Sequence, residues 1–149
     1  NVDELNNLTV KTPFLFNGYL SNRNDFKDYM VDDFFITGDV GDYNEEDLFV
    51  YGRSDDVIQK GGEAVYLSNI ENICVSFSSV SRAVAVKQES KYWGETYRLY
   101  VKIDGKEQSK SFEEYLYSCL RRIEFPESIQ YVNRFPETSI GKIIKRELQ

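Results

Sequence analysis

The segment Tyr97-Arg-Leu-Tyr-Val-Lys-Ile-Asp104 alternates apolar and polar side chains with a period of two residues. This alternation predicts a β-strand that buries one face. A short apolar run before it, Ala83–Val86, and another after it, Ile129–Val132, predict two further strands. The strand at residues 97–104 is therefore expected to belong to a small sheet built from segments on both sides of it in sequence.

Two helices are expected to cover this sheet. Each begins at a predicted capping box, Ser68-Asn-Ile-Glu71 or Ser111-Phe-Glu-Glu114, in which a hydroxyl and a carboxylate satisfy backbone amides. Pro126 is expected to end the second helix. The apolar positions at helical spacing are Ile70, Ile73, Cys74 and Phe77, and then Phe112, Tyr115, Leu116, Cys119, Leu120 and Ile123. The order after residue 66 is α-β-β-α-β, which predicts an α+β fold with a small mixed sheet flanked by helices.

The first third of the chain has a different character. Its apolar runs are short, as is typical of strands. These runs are Leu8–Thr12, Phe14–Leu20, Phe34–Thr37 and Leu48–Tyr51. Such strands need partners, and the sequence begins without an initiator Met. We therefore expect a β-rich piece of a larger domain, and a chain that is a fragment of a longer polypeptide.

Composition and charge exclude several classes of function. The chain has 149 residues and no His, so its chemistry must use Lys, carboxylates, hydroxyls or backbone groups. Residues 1–56 carry a net charge of −9 and residues 57–149 carry +2, which suggests two units, the second better suited to an anionic ligand. No dense Lys/Arg stripe indicates nucleic-acid binding, and no apolar run approaches the ~18 residues of a membrane helix.

The two cysteines, Cys74 and Cys119, both fall in apolar periodic segments and are expected in the core. A disulfide framework or a metal site is therefore not expected. The cytoplasm, where thiols stay reduced, is the expected location.

Three residues of the acidic part are candidates for ligand binding or movement. Asp39 ends Phe34-Phe-Ile-Thr-Gly-Asp39, where its carboxylate could accept hydrogen bonds from the vicinal hydroxyls of a ribose, or could be a solvated turn residue. Arg53 could bind hydroxyls or phosphate through its planar fork, or form an ordinary surface salt bridge. Asp55 lies where the acidic part ends and is the candidate hinge.

Two segments of the basic part are also candidates. Gly61 and Gly62, which precede Glu63, would let backbone amides approach a ligand closely, although a hairpin turn is the simpler interpretation. Lys142 follows Gly141 in an exposed turn that begins at Pro136, an arrangement suited to delivering an ammonium to an anion. A solvated lysine in a carboxyl-terminal tail is the alternative.

The order and spacing of these segments resemble the adenylate-forming superfamily, which includes acyl-CoA synthetases, peptide-synthetase adenylation domains and luciferases. The motifs are Phe34-Phe-Ile-Thr-Gly-Asp39, Gly52-Arg-Ser-Asp-Asp-Val-Ile58, Gly61-Gly-Glu-Ala-Val-Tyr66 with Ile70-Glu71, Trp93-Gly-Glu95 and Pro136-Glu-Thr-Ser-Ile-Gly-Lys142. The resemblance runs from about Leu8 to Leu148 and covers only the carboxyl-terminal portion of such an enzyme. It implies that residues 1–53 end a large amino-terminal domain and that residues 54–149 form a carboxyl-terminal lid.

The resemblance also implies a role for each candidate. Asp39 would hold the ribose hydroxyls of ATP, with Arg53 assisting, and Lys142 would contact the substrate carboxylate and the α-phosphate. Asp55 would be the hinge about which the lid rotates. Rotation would then present the loop of Gly61, Gly62 and Glu63 to the pantetheine thiol of CoA.

The implied activity is that of an AMP-forming acyl-CoA ligase, which would make a fatty or aryl thioester from a carboxylic acid, ATP and CoA, as in fatty acid metabolism. Mg²⁺ would be held mainly by the amino-terminal domain, the rest of the same polypeptide would be the partner, and the fragment alone would be inactive. The Gly-Gly-Glu loop favours a CoA ligase over a domain that loads a carrier protein. That second activity and a non-catalytic interaction module remain alternatives.

Overall fold

The computed structural model describes residues 6–18, 25–44, 46–104 and 109–148. The chain divides into two units, Asn1–Asp55 and Asp56–Gln149, each built on its own β-sheet. The predicted fold class, α+β with a small mixed sheet flanked by helices and preceded by a β-rich piece, is confirmed. In the described part of the chain, no helix has the length and apolar character needed to cross a membrane.

In the first unit, one long strand pairs with shorter strands in an antiparallel sheet. The elements are β1 (Asn7–Val10), α1 (Asp25–Asp28), β2 (Met30–Val31), β3 (Phe34–Tyr43) and β4 (Leu48–Arg53). The predicted strand at Phe14–Leu20 is wrong over residues 14–18, which lie outside any strand. Its last two residues lie outside the described part of the chain.

Strand β3 is longer than the sequence indicated. We predicted a strand that ends at Thr37, followed by a turn through Gly38 and Asp39. The strand instead continues to Tyr43, because β4 runs beside it and supplies backbone partners from the pair of Asp39 with Arg53 onward. Gly38 adopts a φ of +74° within the strand, a conformation that glycine tolerates and other residues rarely adopt.

The second unit follows the predicted order α-β-β-α-β after residue 66. Its elements are β5 (Val57–Lys60), β6 (Glu63–Tyr66), α2 (Leu67–Val75), β7 (Val80–Ser90), β8 (Gly94–Ile103), α3 (Ser109–Cys119) and β9 (Ser128–Tyr131). The strands form a sheet in the order β6-β5-β8-β7, and β9 joins β8 in parallel while the other pairs are antiparallel. The central strand β8 contains the alternating segment from which the sheet was predicted.

The two faces of this sheet are covered by different parts of the chain. Because side chains alternate along a strand, Leu99 and Val101 point to one face and Tyr100 to the other. Helices α2 and α3 cover the first face, and we call it the helix face. Residues 132–148, which we call the tail, cover the second, and we call it the tail face.

Neither predicted capping box forms. The N-cap of α2 is Tyr66, so Ser68 lies inside the helix, and Ser111 is the third residue of α3. The carboxylate of Glu71 accepts a hydrogen bond from the Ala85 N–H of β7 at 2.8 Å instead of turning back to the helix start. Tertiary contact with a neighbouring strand has therefore replaced the local contact that the sequence suggested.

The end of α3 also differs from the prediction. The helix ends at Cys119 and not near Pro126. The chain then forms a 3-10 turn, Arg122–Glu124, in which the Glu124 carboxylate accepts a hydrogen bond from the Arg121 N–H at 2.8 Å. The buried face of α3 and the residue after it consists of Phe112, Leu116 and Leu120. Cys119 lies off this face and is exposed, which contradicts its predicted place in the core, whereas Cys74 is buried as predicted.

Candidate functional site

Asp39 and Arg53 lie opposite each other on β3 and β4. They are direct partners in the antiparallel register, which puts their side chains on the same side of the sheet. Arg53 Nη1 donates to Asp39 Oδ1 at 3.2 Å and to the Thr37 carbonyl oxygen at 2.8 Å. The Asp39 side chain is 36% exposed and that of Arg53 is 54% exposed. The salt bridge thus adds little stability and leaves both groups accessible to a ligand.

The backbone around this pair allows the guanidinium to lie close to β3. A Cβ atom at Gly38 would be 2.7 Å from Arg53 Nη2, so any other residue there would displace the guanidinium. The Thr37 hydroxyl accepts from the Asp39 N–H at 3.1 Å and donates to the Leu8 carbonyl at 2.9 Å. A surface cavity of about 580 Å³ is lined in part by Thr37 and Asp39. A half-exposed carboxylate beside a guanidinium can bind a polar ligand in that space.

Gly61 and Gly62 form the turn of the β5–β6 hairpin, as the simpler interpretation of the sequence predicted. Their φ angles are +57° and +88°. The Gly61 N–H donates to the Trp93 carbonyl at 3.0 Å, and a Cβ atom at Gly61 would lie 2.9 Å from the Trp93 ring. A Cβ atom at Gly62 would meet nothing within 4 Å. Gly61 is therefore required for packing, while Gly62 leaves the backbone open to solvent.

A cavity of about 780 Å³ lies beside this turn and includes two polar groups that sequence reasoning missed. Lys60 is 4% exposed, and its Nζ donates to the Phe125 carbonyl and lies 5.3 Å from the centre of the Trp93 ring. Burial lowers the pKa of the Lys60 ammonium, and the Glu127 carboxylate partly opposes this change. The hydroxyl of Thr96 is buried without a hydrogen-bond partner among the described residues.

Lys142 lies on a closed turn of the tail. The Thr138 N–H donates to the Lys142 carbonyl at 2.8 Å, and the Lys142 N–H donates to the Thr138 hydroxyl at 3.1 Å. Glu137 and Ile143 form an antiparallel bridge at the base of the turn. The side chain of Lys142 is exposed and forms no ion pair with any described residue. The backbone at Lys142 is thus held in place while its ammonium can meet an anion from solvent.

Buried side chains before and after this turn attach the tail to the sheet. Phe135 and Leu148, each 9% exposed, pack on the tail face. The Tyr100 hydroxyl donates to the Leu148 carbonyl, and Arg82 of β7 pairs with Glu137. The position of Lys142 therefore depends on contacts on both sides of it in sequence.

A polar cluster that sequence reasoning missed lies near the end of the tail. Lys145 Nζ lies 2.7 Å from Asp56 Oδ1 and 3.5 Å from Glu71 Oε1. Burial raises the pKa of the Glu71 carboxyl; the Ala85 amide and the Lys145 ammonium oppose this change, and the Asp56 carboxylate adds to it. Asp56 and Glu71 both lie in motifs singled out in the sequence, but Glu71 was interpreted as part of a capping box and neither was connected to Lys145.

The candidate residues fall into separate groups. Asp39 and Arg53 are together in the first unit, and Asp55 ends that unit as an exposed residue of the 3-10 turn Ser54–Asp56. Glu63 lies on the hairpin of Gly61 and Gly62, where its carboxylate pairs with Arg121 Nη1 at 3.0 Å. Lys142 is on the tail. Among the described residues, no three carboxylate or thiol groups are placed to hold a metal ion.

Curated relatives match almost all of this chain but only part of their own length. The 2-succinylbenzoate–CoA ligase of Bacillus licheniformis is 30% identical over 95% of this chain and 30% of its own length. The pyochelin synthase PchD of Pseudomonas aeruginosa is 31% identical over 98% of this chain and 27% of its own length. The chain thus spans less than a third of either relative. No family model matches it.

Solved structures share the fold. The o-succinylbenzoate CoA synthetase of Bacillus subtilis, in complex with an acyl-adenylate intermediate, has a TM-score of 0.86 at 24% identity, over 96% of this chain and 30% of that protein. ATP-bound MatB of Rhodopseudomonas palustris has a TM-score of 0.81 at 27% identity, over 94% of this chain and 29% of that protein. This protein belongs to the adenylate-forming superfamily, whose carboxyl-terminal portion the chain resembles.

Proposed function

We propose that this chain is part of an AMP-forming acid–thiol ligase. The enzyme would join a carboxylic acid to AMP at the expense of ATP, and would then transfer the acyl group to the thiol of CoA. The observation that carries this proposal is the turn at Lys142, where the backbone is hydrogen-bonded and bridged while the ammonium is exposed and has no ion pair within the described residues. A lysine held in this way is available to a ligand.

The charge of Lys142 suits the first half-reaction. In adenylation a carboxylate oxygen attacks the α-phosphorus of ATP, so that two anions must approach each other, and pyrophosphate leaves. An ammonium placed between the two anions offsets their repulsion, and removing one such contact typically lowers the rate by ~10²–10³-fold. Lys142 would have this role.

Asp39 and Arg53 would bind the nucleotide. Arg53 engages Oδ1 of Asp39, and a carboxylate has further lone pairs that can accept hydrogen bonds from two vicinal hydroxyls. The guanidinium would help to orient the carboxylate and could reach a hydroxyl or phosphate itself. Among the described residues, no three metal-ligating side chains come together, and Mg²⁺ would be held mainly by the rest of the polypeptide.

The second half-reaction would use the other candidate loop. Asp55 would be the hinge between residues 1–53, as the end of a large domain, and residues 54–149, as its lid. The backbone at Gly62 is open to solvent, so the loop of Gly61, Gly62 and Glu63 could lie against the pantetheine arm of CoA.

The missing partner would be the rest of the same polypeptide. Strand β4 exposes four consecutive large apolar side chains, Leu48, Phe49, Val50 and Tyr51, each at least 40% exposed. Side chains alternate along a strand, so Leu48 and Val50 share one face of β4 and Phe49 lies on the other. Large apolar side chains exposed on both faces of a strand indicate contact with another surface. The match covers less than a third of the length of each relative, which supports the same interpretation.

The acid would be an aryl acid or a fatty acid. The name of the Bacillus licheniformis relative favours an aryl acid.

A carrier protein is the second candidate acceptor, because the Pseudomonas aeruginosa relative is named a synthase and not a CoA ligase. Supplying CoA or a carrier protein as the thiol would separate the two acceptors. ATP-dependent consumption of any carboxylic acid would dismiss a non-catalytic module.

The test is Lys142→Ala in the full-length protein, with the two half-reactions assayed separately. We expect acid-dependent pyrophosphate exchange to fall by ~10²–10³-fold, because the ammonium acts while the acyl-adenylate forms. Thioester formation from supplied acyl-adenylate should be retained. Lys91→Ala, which removes an exposed lysine from the β7–β8 connection, is the matched control and should change neither rate. Equal loss of both half-reactions in Lys142→Ala would show that the assigned role is wrong.

A further inference from the structure

We propose that Lys145 is a positioning residue, which fixes the turn of Lys142 by joining the tail to Asp56 and Glu71. The inference rests on the proposed function of Lys142, since a positioned ammonium needs an anion to act upon. It concerns a residue three positions beyond Lys142, for which the motifs in the sequence indicate no role of its own.

Lys145 reaches two carboxylates from different parts of the second unit. Its Nζ donates to Asp56 Oδ1 at 2.7 Å, and Glu71 Oε1 lies 3.5 Å away. Asp56 is at the start of the unit and Glu71 is on α2. All three side chains are less than 40% exposed, at 38% for Lys145, 32% for Asp56 and 24% for Glu71. A single ammonium thus connects the tail to two other segments.

The Glu71 carboxylate is itself held in place. Its Oε1 accepts the Ala85 N–H of β7 at 2.8 Å, and helix α2, which carries it, buries Ile70 and Cys74 on the helix face. The anchor for Lys145 is therefore carried by a helix that packs into the core of the unit. A group attached to a fixed carboxylate is positioned more exactly than one attached to a free side chain.

Charge explains what the loss of Lys145 would do. Two carboxylates face one ammonium in this cluster, so removing the ammonium leaves Asp56 and Glu71 with unopposed repulsion. The apolar contacts of Phe135 and Leu148 would still hold the tail on the sheet. We therefore expect a small displacement of the turn and not its detachment. A misplacement of about 1 Å can lower a rate by ~10²-fold even when the altered residue lies away from the chemistry.

Asp56 also connects the cluster to the proposed hinge. It directly follows Asp55, the residue proposed as the hinge, so Lys145 ties the tail to the first residue of the second unit. A lid that rotates about Asp55 would then carry Lys142 as part of a rigid body.

The experiment compares substitutions at Lys145 in the full-length protein. Lys145→Met keeps most of the aliphatic chain and removes the charge, and we expect acid-dependent pyrophosphate exchange to fall by ~10–100-fold. Thioester formation from supplied acyl-adenylate should change by less than ~2-fold, since that step does not use Lys142. Lys145→Arg, which keeps the cation, should restore most of the exchange. Arg146→Gln removes the adjacent exposed cation, which has no ion pair with a described residue, and should behave as the parent protein does.

A double-variant cycle separates positioning from an ordinary structural role. If Lys145 acts through Lys142, adding Lys145→Met to Lys142→Ala should lower the residual exchange by less than ~2-fold. Additive losses in the double variant, or equal losses in both half-reactions of Lys145→Met, would overturn the inference. So would full exchange activity in Lys145→Met while Lys142→Ala is inactive. Retained exchange in Lys142→Ala would instead overturn the proposed function.

Discussion

The two faces of the sheet in the second unit differ in how they are covered. On the helix face, Ile58, Ile70, Leu99, Phe112 and Leu116 are 1% exposed or less. On the tail face, irregular chain covers the strands, and the anchoring residues Phe135 and Leu148 are each 9% exposed.

This difference indicates a division between stability and function. Regular helices bury a continuous apolar surface, which is the dominant source of folding free energy. The tail is held by fewer apolar groups and by polar contacts at separate points, and it carries Lys142. Segments with few buried contacts open at a lower free energy than the core does. Lys142, the candidate catalytic residue, therefore lies on the tail, which is held less tightly than the two helices.

The largest effect should come from Phe112→Ala on the helix face. Phe112 is completely buried and packs against Phe77, with ring centres 5.6 Å apart. Removing such a ring typically lowers the free energy of unfolding by ~3–5 kcal/mol. Urea denaturation followed by circular dichroism would measure this loss. Tyr117→Ala is the control on the same helix, because that ring is 71% exposed and loses mainly its stacking on Phe125, a contact that contributes ~0.5–1.5 kcal/mol. Similar losses in both variants would contradict the assigned core.

Leu148→Ala should have a smaller effect that is confined to the tail. Leu148 is 9% exposed, so we expect a loss of ~2 kcal/mol, at the low end for a buried leucine. Native-state hydrogen exchange would locate it, with faster exchange at tail amides such as Ile144 and little change in α2 and α3. Phe112→Ala should instead speed exchange in both covers. Equally faster amide exchange in the tail and in α2 and α3 of Leu148→Ala would show that the tail and the helices open together.

The helix face could be predicted from the sequence because its apolar residues recur at a regular spacing. Phe112, Leu116 and Leu120 recur every four residues, and all three are buried. The alternation of residues 97–104 likewise predicted the central strand β8. Local end signals were less informative, since Ser68 and Ser111 both lie inside helices. Packing of α2 against β7 directed the Glu71 side chain away from the predicted cap.

The tail face could not be predicted in this way. Residues 132–148 have no helical or strand period, and their contacts with β7 and β8 join residues far apart in sequence. Asp39, Arg53 and Lys142 were candidates because of their residue types and local context, and the resemblance to a family then implied a role for each. The partners of Lys145 were missed, since no local pattern connects it to Asp56 and Glu71.

The smallest effect on stability should come from Glu71, which lies on α2 and contacts Lys145 of the tail. Burial is the main cause that raises the pKa of this carboxyl above its ordinary value of 4.5. The folded protein therefore holds this proton more tightly than the unfolded chain does, and Glu71 should lower the stability as the pH rises above 4.5 toward the raised pKa. Glu71→Gln cannot titrate but keeps an oxygen for the Ala85 N–H, so its stability should decline less between pH 4.5 and about pH 7. Urea midpoints of both proteins across this range would measure the difference. Parallel curves would show that the Ala85 amide and the Lys145 ammonium fully offset the burial of Glu71, so that this carboxyl ionises as readily in the folded protein as in the unfolded chain.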